Sequence, residues 1–172
     1  MDSRAAKRAL ELAQGLQGAA TFARPARSAT IDDPNALLDS IVTEPELRDV
    51  VRKLFLDGHY ALAVEEGFKY LNNLVKRRTG STADGASLMT TAFSGSAPLL
   101  RLPTALKSAS QKNQQLGYMR IFEGSMIGIR NPRAHEHKYL DDPRNALELL
   151  ALCNHLVRVT LNATRTRKRG ST

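Results

Sequence analysis

Arg130-Asn131-Pro132-Arg133-Ala134-His135 is the stretch of this chain best equipped for chemistry. A guanidinium stays charged at neutral pH and can grip two phosphate oxygens at once, while an imidazole gains or loses a proton near neutrality. Those are the two parts that metal-free cleavage of an RNA phosphodiester needs. The strand supplies its own nucleophile, the 2′-hydroxyl beside each phosphate. His135 can take that proton or protonate the leaving 5′-oxygen. Arg130 can hold the phosphate and stabilise charge that develops in the transition state. Asn131 can orient the histidine or donate to phosphate. The competing account is mechanical: Arg130 satisfies carbonyls at a helix end, and His135 caps or packs. On residue types and spacing alone the two accounts carry equal weight.

Other candidate chemistry is thinner. His135 and His137 flank Glu136, and Asp141 and Asp142 follow, but two histidines at this spacing without cysteine partners are weak grounds for a metal site. No metal and no cofactor is expected. Cys153 falls on an apolar helical face and reads as a packing residue rather than a nucleophile. Phosphate-binding loops and dinucleotide fingerprints are absent from the sequence. Glu65 and Glu66 read as surface charges. Glu123 shares Arg130's side of one helix, and with Arg133 and His137 it is a candidate for lining the same cleft.

These residues must be held by helices. A packing seam runs through Ala61, Val64, Phe68, Leu71 and Val75 in steps of three and four, with Glu65 and Lys69 paired outside it and Thr79-Gly80 ending it. Before it, Leu47, Val50, Val51, Leu54 and Phe55 recur at helical spacing behind Thr43 and Glu46, which are placed as a capping box, and Asp57-Gly58 breaks that segment. A third helix spans about Gln111 to Ile129 and is apolar on most sides, which predicts burial against several neighbours. Gly117, Gly124 and Gly128 form one stripe of it, a pattern that suits close approach of another backbone, within the subunit or across a dimer. Pro132 should stop this helix, because a proline disfavours helical geometry in the residue before it. Asp142-Pro143 then supplies an N-cap and a first-turn proline for the last helix, whose inner face is Ala146, Leu149, Leu150, Cys153, Leu156 and Val157. Residues 79–103, rich in small residues, glycine and proline, read as a long ordered loop, with Leu88, Met89 and Phe93 able to dock on the core. No strand signal competes. The expectation is an all-α bundle of about four helices.

Composition supports an ordinary globular chain: 172 residues, 42% hydrophobic, 24% charged, without tryptophan and with one cysteine. That single cysteine excludes an internal disulfide and fits a reducing cytoplasm. Neither a signal-peptide block nor a membrane-spanning run is evident, so a cytoplasmic protein without membrane association is expected. The formal net charge of +8, from 25 Lys and Arg against 17 Asp and Glu, favours nucleic acid as a partner. Part of that excess is local to Arg165, Arg167, Lys168 and Arg169, which read as a solvated tail. The expected division is an N-terminal helical extension and linker (1–40, with a weak amphipathic helix over 5–20), a helical domain (41–163) and a basic disordered tail (164–172).

The stretch IGIRNPRAHEH resembles the HEPN superfamily, helical domains marked by an arginine, a polar residue and a histidine with four to six residues between Arg and His. More closely, the chain is similar to the Ymh family over about residues 43–160, through LFLDGHYALAVEEGFKYLNNLV, DGASLMTTAFS and GYMRIFEGSMIGIRNPRAHEH. The resemblance implies a HEPN-like four-helix bundle and a homodimer whose two motifs face one composite cleft. It implies a metal-independent endoribonuclease with Arg130, Asn131 and His135 as its site, in a toxin–antitoxin or phage-defence setting with an antitoxin or defence partner. Its alternative is a non-catalytic HEPN domain that binds nucleic acid or nucleotides, or dimerises. Some members carry a modified tyrosine two residues after the histidine. His137 stands there in this chain, so that regulation does not transfer.

Overall fold

Turn and cap residues set most of the element boundaries. Asp33 accepts a hydrogen bond from the Asn35 amide and starts α1, Pro34–Ile41. α2 covers Pro45–Leu56 and ends before Gly58, which holds a φ of 81°. α3, Tyr60–Thr79, closes on Gly80 in the left-handed conformation. α4 covers Gly85–Phe93 and α5 Ala109–Ser125. A π-helical turn, Met126–Arg130, joins α5 to the short α6, Asn131–His135. α7 spans Pro143–Asn162, with Asp142 accepting from the amides of Arg144 and Asn145 at its start. The computed structural model describes residues 33–95, 97–102, 106–136 and 139–166. The helix expected over 5–20 and the residues after Thr166 lie outside that set.

The fold is all-α. Its core is the interior of α2, α3 and α7, where Leu47, Val51, Phe55, Val64, Phe68, Leu71, Leu150, Cys153 and Val157 are fully buried. α3 and α7 cross at Gly67, where an added Cβ would sit 3.2 Å from Leu150 and 3.3 Å from Val51. This is the close approach that glycine permits.

The structure corrects several expectations. α1 belongs to the packed unit, with Leu38 and Val42 fully buried, so the domain begins near Asp33 rather than at 41. The Thr43–Glu46 capping box does not form. Asn154 of α7 substitutes for it, accepting from the Glu44 amide at 3.0 Å and donating to the Thr43 hydroxyl at 3.2 Å. Lys69 pairs with Glu66 at 2.9 Å, not with Glu65. The segment read as a loop contains α4, which buries Leu88, Met89, Ala92 and Phe93 and stacks Phe93 on Phe122 of α5 at 4.2 Å between ring centroids. Glycine, serine and threonine give α4 weak helix propensity, and its apolar face compensates by packing. Leu100–Arg101 (β1) pairs antiparallel with Thr164–Arg165 (β2), so the first residues assigned to the tail are hydrogen-bonded. Arg78 donates to the carbonyls of Leu161 and Ala163 and finishes α7 there.

α5 is buried along one stripe only, through Gln115, Met119, Phe122 and Ser125. Leu116, Ile121 and Ile127 stay 52%, 45% and 55% exposed. A Cβ built on Gly117, Gly124 or Gly128 meets nothing within 4 Å. The glycine stripe therefore packs against nothing within the described residues, contrary to the first of its two readings. No helix among the described residues is long and apolar enough to cross a membrane.

Candidate functional site

Proline is the reason the helix changes pitch at the motif. Pro132 lacks an N–H and clashes with an ideal α-helical turn before it. The expected outcome was a helix stop before Pro132. Instead the backbone slips one residue: the Asn131 amide bonds the Met126 carbonyl, five residues back, and Asn131 itself stays α-helical at φ −61° and ψ −43°. Pro132 then falls in the first turn of α6, where its missing donor costs little. His135 thus ends a helical turn rather than lying beyond one. Asn131 and His135, four residues apart in that turn, share one side of it.

Arg133 locks this arrangement from inside. Its Nε and Nη2 donate to the Asp141 carboxylate at 2.7 and 2.8 Å, and its Nη1 donates to the Ile129 carbonyl at 2.8 Å. The ring of Tyr139 lies 4.6 Å from the guanidinium carbon. With side chains 3% and 1% exposed, Arg133 and Asp141 form a buried, bidentate pair. Arg133 is therefore a fastener between α6 and the start of α7, not a residue lining a cleft. No periodicity or motif signalled this role, because the partner is eight residues away across an irregular turn.

Arg130 faces α3 and the start of α4. Its side chain is 23% exposed, and Nη1 lies 3.9 Å from Oδ2 of Asp84, a loose ion pair. Its Nε is buried and, among the described residues, has no acceptor. A buried donor without an acceptor costs on the order of 1–3 kcal/mol. Around it stand Asn72, Lys76 and Lys69 of α3. Lys76 reaches Asp84 at 2.6 Å, and Asn72 donates to the same carboxylate at 2.8 Å. Those two bonds hold the Asp84 carboxyl below the usual carboxylate range, against a smaller opposing effect of desolvation. Lys69 is raised by its bond to Glu66, although the charge of Arg130 works the other way. Lys76 and Asp84 were not among the residues singled out in the sequence. Asp84 carried a signal nonetheless, as an Asp-Gly pair at a helix start.

His135 is exposed to solvent. No hydrogen bond or ion pair joins it to Arg130 among the described residues. Asn131 is half-buried beside them. Glu123 turns elsewhere, accepting from Arg120 at 2.7 Å and from Thr90 at 3.2 Å, bonds that lower its carboxyl. His137 lies outside the described residues. Burial pushes the Cys153 thiol far up, as suits a packing residue. A cavity of about 690 Å³, lined by Thr79, Ser81, Thr91 and Arg165 among others, includes no motif residue, so hollowness and chemistry do not coincide here.

The geometry defines a class: an all-α domain that presents a half-buried arginine at the end of a π-turn and an exposed histidine one short helix later. Within that class the chain belongs to the family described as "Protein of unknown function (Hypoth_ymh)", whose model matches residues 42–160, well over half of its length. No curated protein matches the chain. No solved structure matches it.

Proposed function

We propose that this protein is a metal-independent endoribonuclease of the HEPN type, working as a homodimer in which two copies of Arg130, Asn131 and His135 meet at one cleft. The observation that carries the reading is the state of Arg130. Its guanidinium, partly open to solvent, has only a 3.9 Å ionic contact among the described residues, one short helical turn before a solvent-exposed histidine. A phosphate would supply the close partner that Nη1 lacks. His135 takes the 2′-hydroxyl proton, the 2′-oxygen attacks the adjacent phosphorus, and a 2′,3′-cyclic phosphate forms as the bond to the 5′-oxygen breaks. The leaving oxygen receives a proton from a second acid, for which the His135 of another copy is the candidate. The open face of α5 and the π-turn, with exposed Leu116, Ile121 and Ile127 and with nothing among the described residues against Gly117, Gly124 and Gly128, supports association of two copies. A toxin or phage-defence role, with an antitoxin or defence partner, is the setting this activity fits, in a cytoplasmic protein.

The rival reading is a non-catalytic HEPN domain that binds nucleic acid or dimerises. It draws on the tie between Arg130 and Asp84, which gives the arginine a structural partner. Incubation of RNA with wild type, Arg130→Ala and His135→Ala in excess chelator separates the two. The nuclease reading expects cutting by wild type and a loss on the order of a hundredfold or more in each variant. Cutting undiminished in both variants overturns the site. RNA left intact by wild type at every concentration, with Arg130→Ala lowering the melting temperature, establishes the rival.

A further inference from the structure

Asp84 stands where a helix cap belongs and caps nothing. Its backbone is extended at the N-cap of α4, with φ −137° and ψ 159°, yet its side chain makes no capping bond. Asn72 accepts from the Gly85 amide at 2.9 Å in its place. The carboxylate so released turns towards α3 and the π-turn. Oδ1 accepts from Asn72 at 2.8 Å and from Lys76 at 2.6 Å, while Oδ2 faces Arg130 at 3.9 Å. Asn72 is 2% exposed, so the tie is anchored from the core. One carboxylate thus sets cations from two separate elements beside each other.

We propose that Lys76 and Arg130, held side by side by Asp84, form a two-cation clamp for the phosphodiester backbone of single-stranded RNA, with Asp84 as its positioning residue. The clamp rests on the ribonuclease reading for the identity of its ligand. Two cations share a single carboxylate, so the group keeps an excess positive charge. Both cations also keep donors: an ammonium has three, and Arg130 has its loosely held Nη1. Lys76 is 34% exposed, enough to meet a ligand from solvent. Its neighbours are less suited. Lys69 is neutralised by Glu66 at 2.9 Å, and Arg77 is directed to Glu46 and the Tyr70 ring. The negative charge of Asp84 keeps a phosphate from settling between the cations and leaves it the outward side of both.

The test is binding of a fluorescent single-stranded oligouridylate by the full chain, measured across a salt series with His135→Ala as the uncut background. Adding Lys76→Gln should weaken binding about fivefold at low salt. It should also flatten the slope of log affinity against log salt by about 0.7, the value of one lost phosphate contact on a single strand. Lys76→Arg should restore the slope, and Arg77→Gln should leave it unchanged. In the otherwise unaltered protein, Asp84→Asn should hold KM or lower it while kcat falls on the order of tenfold or more, because Arg130 loses its placement. A slope unaffected by Lys76→Gln, or flattened as much by Arg77→Gln, overturns the clamp. Cutting by wild type with such a slope keeps the ribonuclease reading and removes the clamp. Absence of cutting with the slope lost only at Lys76 removes the ribonuclease reading and keeps the clamp.

Discussion

Replacing Asp141 by asparagine should be among the most damaging conservative changes this fold can receive. Wild-type Asp141 takes two bonds from Arg133, at 2.7 and 2.8 Å, and a third from Asn145 at 2.6 Å, with both charged side chains almost wholly enclosed. The amide would keep the shape but present an NH₂ to donors and leave the guanidinium buried without its counter-charge. Breaking one side of a buried pair costs about 3–5 kcal/mol. For a chain of this size each kcal/mol is worth about 2–4 °C, so the melting temperature should fall by about 6–20 °C. Removing both charges should be far milder, since an apolar pair of similar volume, Arg133→Met with Asp141→Leu, escapes the desolvation cost and often comes out near neutral. Circular-dichroism melts, with guanidinium titrations to check that the m-value is unchanged, measure Asp141→Asn, the double variant and its two component single variants, the last three closing a double-mutant cycle with wild type. A fall of only 2–3 °C for Asp141→Asn, about 1 kcal/mol, would refute the reasoning, because it would mean that water reaches the guanidinium.

Two further outcomes follow from the geometry. Asp84 has a lowered folded-state pKa, so it contributes stability above the ordinary carboxylate pKa of about 3.9 and loses it as pH falls through the lower folded value. Wild-type melting temperature should therefore drop more steeply than that of Asp84→Asn as pH falls below about 4, as acid-range melts would record; parallel curves would contradict the tie to Lys76 and Arg130. Gly124→Ala should raise the monomer's stability by about 1 kcal/mol, since its Cβ meets open space in a helix, whereas Gly67→Ala should bring no gain because Leu150 and Val51 stand at 3.2 and 3.3 Å. If sedimentation shows a dimer that Gly124→Ala weakens, that face is the one two copies share.

Periodicity carried the helices because burial follows it. Val64, Phe68, Leu71 and Val75 are all fully enclosed, as are Leu150, Cys153 and Val157. Two caps with local partners, Asp142 and Gly80, were legible, and the distant one was not: Asn154 caps α2 from 110 residues away. The α5 reading failed differently. Abundant apolar residues predict burial on most sides, but Leu116, Ile121 and Ile127 stand on a face that nothing among the described residues covers. Glycines misled in the same way, since the three in a stripe meet nothing among the described residues and the solitary Gly67 is the tight one. In the site, Arg130 and His135 were visible as residue types at a spacing. Asp84, Lys76 and the fastening role of Arg133 were not, because each depends on which side chains meet across separate elements.

The π-turn means that the chain carries one residue more between α5 and His135 than an α-helical ladder would use. Since the Asn131 amide meets the Met126 carbonyl as it would meet one four residues back in an α-helix, the wide turn absorbs that extra residue like slack in a belt. Deleting Ile127 or Gly128 would close the turn to an ordinary α-helical one with the charge unchanged. Asn131, Arg133 and His135 would keep their aim relative to α5, and Arg133 its grip on Asp141, whereas one residue removed from the regular part of α5 would swing all three by about 100° relative to the turns before it. The motif is thus far more sensitive to a deletion earlier in α5 than to one inside the turn that adjoins it.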